Sequence, residues 1–259
     1  MRCFAVFLSV LAALSVLLRP HWLYAEGACL VTDYWPPFVT AGDNGELGGI
    51  DIDLMRAAGR QMGVDFSIEQ APWTACLTHM EKGSRDFITG VAKSREREGY
   101  IIYSELPYYS CRPAFYSVKG SRVAVEKFAD LKAYRIGFTL NSVYFPEFDE
   151  DTSLNKFGVN SEAELLDMLV AGHLDLIVGT DCQVEYDIAR RQLSGRIRKE
   201  AYQPDYRIDL YIGASARSRW RERMGELSAV LIKMLQNGTV DRISSRYFEK
   251  SRSTPASSD

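Results

Sequence analysis

Gly83-Ser84-Arg85-Asp86-Phe87-Ile88-Thr89-Gly90 returns later in the chain as Gly172-His173-Leu174-Asp175-Leu176-Ile177-Val178-Gly179, with both glycines, the Asp and an Ile in register at a constant offset of 89 residues. Each copy reads as a glycine that stops a helix, followed by a β-rich run. Ahead of the first copy, Trp73, Cys76, Leu77 and Met80 recur at i, i+3, i+4 and i+7, the stripe of an amphipathic helix that Gly83 ends. Ahead of the second, Ser161-Glu162-Ala163-Glu164 reads as a capping box opening a helix with Leu165, Leu166, Met168 and Leu169 on its apolar face.

Working outward from the first copy, Leu30 to Thr32 reads as a strand and Ile50 to Met62 as a helix opened by Asp51 and closed at Gly63. Asp65 to Glu69 is the next strand, and Asp86 to Val91 the third. The order β-α-β-α-β predicts a mostly parallel sheet covered by helices. Around the second copy the strands are Arg135 to Phe138 and Leu174 to Val178, so two similar α/β units in tandem are expected. Ligands of open parallel sheets gather beyond the carboxyl ends of the strands. Those places hold Ala92-Lys93-Ser94-Arg95-Glu96-Arg97 in one unit and Thr180-Asp181 in the other, cations on one wall and a carboxylate on the facing one.

The N-terminus points to export. Met1-Arg2 is a short positive segment, Phe4 to Leu18 is apolar or small, and Arg19-Pro20 ends the run. That run is shorter than the ~20 residues of a membrane span and suits a secretory signal cleaved near Ala25; the alternative is a retained anchor. Cleavage leaves roughly 234 residues, enough for one large domain or two medium ones. A formal charge of −3 gives no sign of a nucleic-acid or anionic-membrane partner, both of which favour clustered Lys and Arg. Cys29, Cys76, Cys111 and Cys182 remain after cleavage. They form no C-x-x-C pair, so no metal site is expected. Two disulfides in any of three connectivities are open, as are buried free thiols at Cys29 and Cys76. Residues 251–259, polar and free of aromatics, read as a disordered tail.

Several segments together resemble a known family. Tyr34-Trp35-Pro36-Pro37-Phe38 followed by Gly48-Gly49-Ile50-Asp51-Ile52-Asp53-Leu54 is similar to an aromatic-Pro-Phe loop leading into a G-F-D-x-D-L helix start. Ser94-Arg95-Glu96-Arg97 and Tyr103-Ser104-Glu105-Leu106-Pro107-Tyr108-Tyr109 resemble T-x-E-R and F-S-x-P-Y elements. Gly137-Phe138 with Asn141-Ser142, and Asp181 after its strand, follow in matching order. These are the marks of family-3 periplasmic solute-binding proteins, the receptor components of polar amino-acid ABC importers. The resemblance implies two Rossmann-like lobes joined by two crossover strands, the type II periplasmic binding protein architecture. It assigns 26–109 plus 207–250 to lobe 1 and 110–206 to lobe 2, with residues 1–25 as the signal peptide. It also implies a periplasmic monomer that needs no cofactor and docks on an inner-membrane permease.

Carried over residue by residue, the resemblance has Arg97 grip a ligand carboxylate through its planar fork of donors. Asp181 would accept from the ligand's ammonium, Trp35 would stack over it, and Ser142 would lend backbone donors from a helix N-terminus. Trp73, Gly90, Ala92 and Phe138 complete the implied set. Ala92 stands where the family commonly has Ser or Thr, and Asn141 where it has a small residue. The family's topology also implies a Cys111–Cys182 disulfide near the hinge, with Cys29–Cys76 as a second pair. Two other functions fit the same lobes. One is a ligand-sensing module for a membrane signalling partner. The other is an enzyme resembling cyclohexadienyl dehydratase, for which Glu185 is the nearest acid, although Val184 holds the expected place.

Overall fold

The computed structural model describes residues 26–42 and 44–253. The expected signal peptide and positions 254–259 of the expected tail lie outside the described residues. In chain order the first unit contains β1 (Glu26–Thr32), β2 (Thr40–Ala41), β3 (Leu47–Gly48), α1 (Ile50–Met62), β4 (Val64–Gln70), α2 (Trp73–Lys82), β5 (Phe87–Val91), β6 (Ile101–Tyr103) and β7 (Tyr109–Cys111). The second contains β8 (Pro113–Val118), β9 (Ile136–Thr139), α3 (Pro146–Glu150), β10 (Lys156–Val159), α4 (Glu162–Val170), β11 (Leu176–Thr180), α5 (Asp181–Arg190) and β12 (Ile197–Lys199). The chain then returns with β13 (Ile208–Ser215), α6 (Met224–Gln236) and α7 (Thr239–Ser253).

The duplication seen in the sequence is a duplication of topology. One sheet has the order β4-β1-β5-β13-β6 and the other β10-β9-β11-β8-β12. In each, three parallel strands are followed by antiparallel ones: β13 against β5 and β6 in the first, β8 against β11 and β12 in the second. The two copies of the repeated stretch end in β5 and β11, the third strand of each parallel set. β13 also pairs with β7, so the first sheet takes strands from both sides of the second unit. The chain crosses between sheets at Arg112, a few residues beyond the expected Tyr109, and again in 200–207.

Local chemistry explains the element ends. α1 and α2 close on Gly63 and Gly83, both left-handed, and α4 opens on Ser161, whose hydroxyl accepts from the Glu164 N–H at 3.3 Å. α1 puts Ile52, Leu54, Met55 and Ala58 into the core, and α4 does the same with Leu165, Leu166 and Leu169. α7 continues to Ser253, so residues 251–253 of the expected tail are helical. Gly49, at φ +114°, is required where α1 begins, because a Cβ there would lie 2.2 Å from the Phe38 carbonyl oxygen. This close approach seats the Trp35–Val39 loop on the start of α1, with Asp51 N–H donating to Phe38 O at 2.9 Å.

Cys111 and Cys182 are bonded, with Cα atoms 5.7 Å apart and a sequence separation of 71. The other expected pair does not form. Cys29, in the middle of β1, and Cys76, in α2, are free thiols. Cys29 lies beside Asp86, whose carboxylate accepts its N–H, while Cys76 in the first turns of α2 bonds the Ala71 carbonyl. Burial pushes the Cys76 thiol up to about 12.

Candidate functional site

The carboxyl ends of the two parallel sets face a common cleft of about 750 Å³ including its open mouth. β1, β5 and the β5–β6 connection line one side, and β9, β11 and the start of α4 line the other. Clefts between two α/β units are where small-molecule sites are expected on general grounds.

Arg97 is the cation of the first wall. It opens a short 3₁₀ turn after β5, its N–H donating to the Ser94 hydroxyl at 3.3 Å, and the residue is 5% exposed. Burial pushes its pKa down, while the Tyr103 and Tyr100 phenols oppose that effect. Its Nη1 donates to the Ala92 carbonyl at 2.9 Å. Its Nη2 donates to the carbonyl of Asn141, which follows β9 in the second unit. Among the described residues no carboxylate lies within ion-pair distance of the guanidinium. The same Asn141 carbonyl accepts from Trp73 Nε1 at 3.1 Å, and the Trp73 ring lies 5.5 Å from the Arg97 guanidinium carbon. Trp73 is held in place by Asp33, whose Oδ2 accepts the Trp73 N–H at 2.9 Å at the start of α2.

Trp35 stacks on Phe38 at 4.5 Å and faces the cleft beside Gly90. Gly90 has φ +65°, and a Cβ there would come 3.2 Å from the Trp35 ring and 3.5 Å from Asp51 Oδ2. The structure therefore brings Arg97, Trp35, Trp73, Gly90, Ala92 and Ser142 to one cleft.

Three expectations change. Ser142 lines the cleft, yet it stands in an extended loop four residues ahead of α3, not at a helix start. Asn141, at φ +58°, turns the chain there, and the Ser142 N–H is already given to Thr139 O at 3.1 Å. Phe138 points to the other face of β9 and packs edge-on against Phe148 at 6.4 Å; its neighbour Thr139 takes the cleft side.

Asp181 also lies outside the cleft. Its Oδ1 accepts from the N–H of Arg112 and of Cys182, both at 2.8 Å, and its own N–H donates to Arg112 O at 2.9 Å. It fastens the first crossing strand to the start of α5, on the wall of a second cavity that includes the disulfide. The residue that β11 presents to the cleft is Thr180. Glu185 lines the second cavity as well, paired with Lys199 at 2.9 Å.

The cleft contains groups that sequence reading assigned to other duties. Asp51, 1% exposed, has Oδ1 bound by the Tyr108 hydroxyl at 2.6 Å, while Oδ2 has no hydrogen-bond partner. Burial drives its pKa up to about 7, against the pull of the Tyr108 and Thr89 hydroxyls. Glu162, the first residue of α4, is half-buried as a residue, yet its Oε2 is sealed from solvent and has no partner. Desolvation raises it to about 8, partly offset by the Thr139 hydroxyl. Thr180 precedes α5 in the capping position but caps nothing, and its Oγ1 is buried and unpartnered. Asp51 and Glu162 each carry a sequence signal, an acid in a first helical turn, which is indistinguishable from ordinary complementation of a helix dipole.

Comparison with known proteins agrees with this geometry. The family model of the bacterial extracellular solute-binding proteins, family 3, matches residues 28–250. An ABC transporter arginine-binding protein 1 of Escherichia coli (strain K12) is 24% identical over 222 residues, which cover 84% of this chain and 88% of that one. A membrane-bound lytic murein transglycosylase F of Desulfosudis oleivorans is 26% identical over 214 residues, covering 77% of this chain; the match spans 44% of that relative's length, less than half of it. In fold, the solved structure of an ancestral arginine-binding protein bound to arginine superposes with a TM-score of 0.75 at 20% identity, covering 87% of this chain and 99% of that one. With the paired sheets, the facing strand ends and a match over nearly the whole described chain, the protein belongs to the bacterial extracellular solute-binding proteins, family 3.

Proposed function

We propose that the chain binds a small zwitterionic solute, an amino acid or close relative, in the cleft between its sheets and delivers it in the periplasm to an inner-membrane ABC importer. One observation carries the reading. An almost fully enclosed guanidinium faces the cleft with the carbonyls of Ala92 and Asn141 on its donors and no carboxylate within ion-pair distance among the described residues. A desolvated cation held by neutral acceptors gains most when a carboxylate arrives, because charge-assisted bonds are about twice as strong as neutral ones. Trp35 and Trp73 supply flat walls for the rest of the solute, and the ABC partner follows from the named roles of the binding-protein relatives. The protein acts as a receptor and not as a catalyst. Val184 holds the place where a dehydratase of this fold would carry its acid, and Glu185, the nearest acid in sequence, is engaged by Lys199 outside this cleft.

The test is a thermal-shift screen of the common L-amino acids against the purified protein. A ligand at a hundred times its dissociation constant adds about 2.7 kcal/mol, which for a chain of this size raises Tm by roughly 5–11 °C. Arg97→Ala is expected to abolish the shift. An unchanged shift in that variant refutes the site.

A further inference from the structure

The cleft as described has an anchor for an anion and, with Asp181 turned away to the hinge, lacks the expected acid for a cation. Two enclosed carboxyls remain, Asp51 and Glu162, and they differ in what holds them. Asp51 and Glu162 each have one oxygen against a glycine, 3.5 Å from the Cβ position of Gly90 and 3.4 Å from that of Gly179, but the Asp51 carboxyl is also tied to the Tyr108 hydroxyl, a bond that Glu162 lacks. Glu162 stands on the second wall, opposite Arg97, with Oε2 free of partners and the unpartnered Thr180 hydroxyl lining the same cavity. An orphaned buried oxygen is costly unless something later satisfies it.

We propose that Glu162 receives the cationic nitrogen of the bound solute, with the Thr180 hydroxyl as companion acceptor, opposite the carboxylate grip of Arg97. This rests on the reading of the cleft given above and names its second anchor. The solute class is then a molecule with a carboxylate at one end and an ammonium or guanidinium within reach of the start of α4.

The surroundings of Glu162 contain no competing cation among the described residues. α4 packs on β8, β9, β10 and β11 and adjoins α5. β8 contributes the Tyr116 phenol, and β9 contributes Thr139 with Tyr144 just beyond it; both phenols stay neutral because burial pushes them well up. On β10, Lys156 is held by the carbonyls of Phe148 and Asp149. On α5, Asp187 raises Glu162 further and is itself paired with Arg190, while Arg191, just past that helix, is paired with Asp167 of α4. On its own helix, Glu164 accepts the Asn160 N–H. A carboxyl at about 8 is roughly nine-tenths protonated at pH 7, so accepting a cation releases that proton to the buffer.

The experiment is calorimetric titration with L-arginine, L-lysine, L-histidine, L-glutamine and L-glutamate at pH 7, each in phosphate and in Tris, whose ionisation enthalpies differ. Wild-type protein is expected to bind at least one of the cationic members with release of close to one proton. Glu162→Gln is nearly isosteric, and circular dichroism should show it folded; it is expected to weaken that ligand about a hundredfold and to remove the proton release. Equal affinity and equal release in Glu162→Gln, with binding lost in Arg97→Ala, overturns this proposal and leaves the cleft reading standing. Release that disappears in Asp51→Asn and persists in Glu162→Gln overturns it in favour of Asp51. Binding that survives Arg97→Ala, or no binding of any member to the wild type, overturns the cleft reading and this proposal with it.

Discussion

Replacing Asp181 with Ala separates a hinge fastening from a ligand anchor. The carboxylate accepts two backbone N–H groups at 2.8 Å, from Arg112 on the crossing strand and from Cys182 in the first turn of α5. Bonds to a charged acceptor contribute about 1.5–3 kcal/mol each, and a side chain that keeps 24% of its surface exposed lets water replace part of that. The expected loss of stability is therefore about 2–3 kcal/mol, or roughly 4–12 °C in Tm for a chain of this length. Asp181→Asn keeps an oxygen acceptor and should lose about half as much. Affinity for whichever amino acid the wild type takes should stay within about threefold, since Thr180 and not Asp181 faces the cleft. Thermal unfolding and calorimetric titration on the same preparations read both quantities. A drop in affinity of about a hundredfold with Tm nearly unchanged would refute the argument, because that is the signature of an uncompensated ligand charge.

Two further outcomes follow from the buried groups and the cross-link. Reducing Cys111–Cys182, which closes a loop with a sequence separation of 71, should cost about 4 kcal/mol on a chain-entropy model and lower Tm by about 10 °C with dithiothreitol present. An unchanged Tm after complete reduction, verified by thiol counting, would dismiss that contribution. Asp51 is a carboxyl whose folded pKa is raised to about 7, so it favours the folded state when protonated. Its contribution is fully present below the unfolded value near 4 and is lost as pH rises through about 7, at up to about 1.4 kcal/mol per pH unit. Asp51→Asn should flatten the fall in denaturant-measured stability between those pH values, and an identical slope in the variant would contradict the assignment.

The architecture was legible because it is written twice. Gly83 and Gly172 end helices, Ile88 and Ile177 fill strands, and the spacing between copies carries the shared topology of β5 and β11. Which side chain at the end of β11 faces the ligand was not legible. All five residues from Leu176 to Thr180 are buried, since helices cover both faces, so no polar–apolar alternation marks the cleft side. The family resemblance points to Asp181 and Phe138, whereas the side chains that β11 and β9 present to the cleft are those of Thr180 and Thr139. Glu162 was hidden for another reason. Next to a capping serine and two residues before Glu164, it looks like one more acid at a helix start, and only the fold shows its carboxyl enclosed in the cleft.

The Asn141 carbonyl accepts from both Arg97 and Trp73, so the loop after β9 is fastened to the first wall of the cleft through one backbone oxygen. It takes one N–H of Arg97 and the Ala92 carbonyl takes another, while a guanidinium carries five, so donors remain for a solute without either carbonyl leaving. The two carbonyls set the plane of the fork in advance, and a carboxylate that meets it gains charge-assisted bonds at little ordering cost.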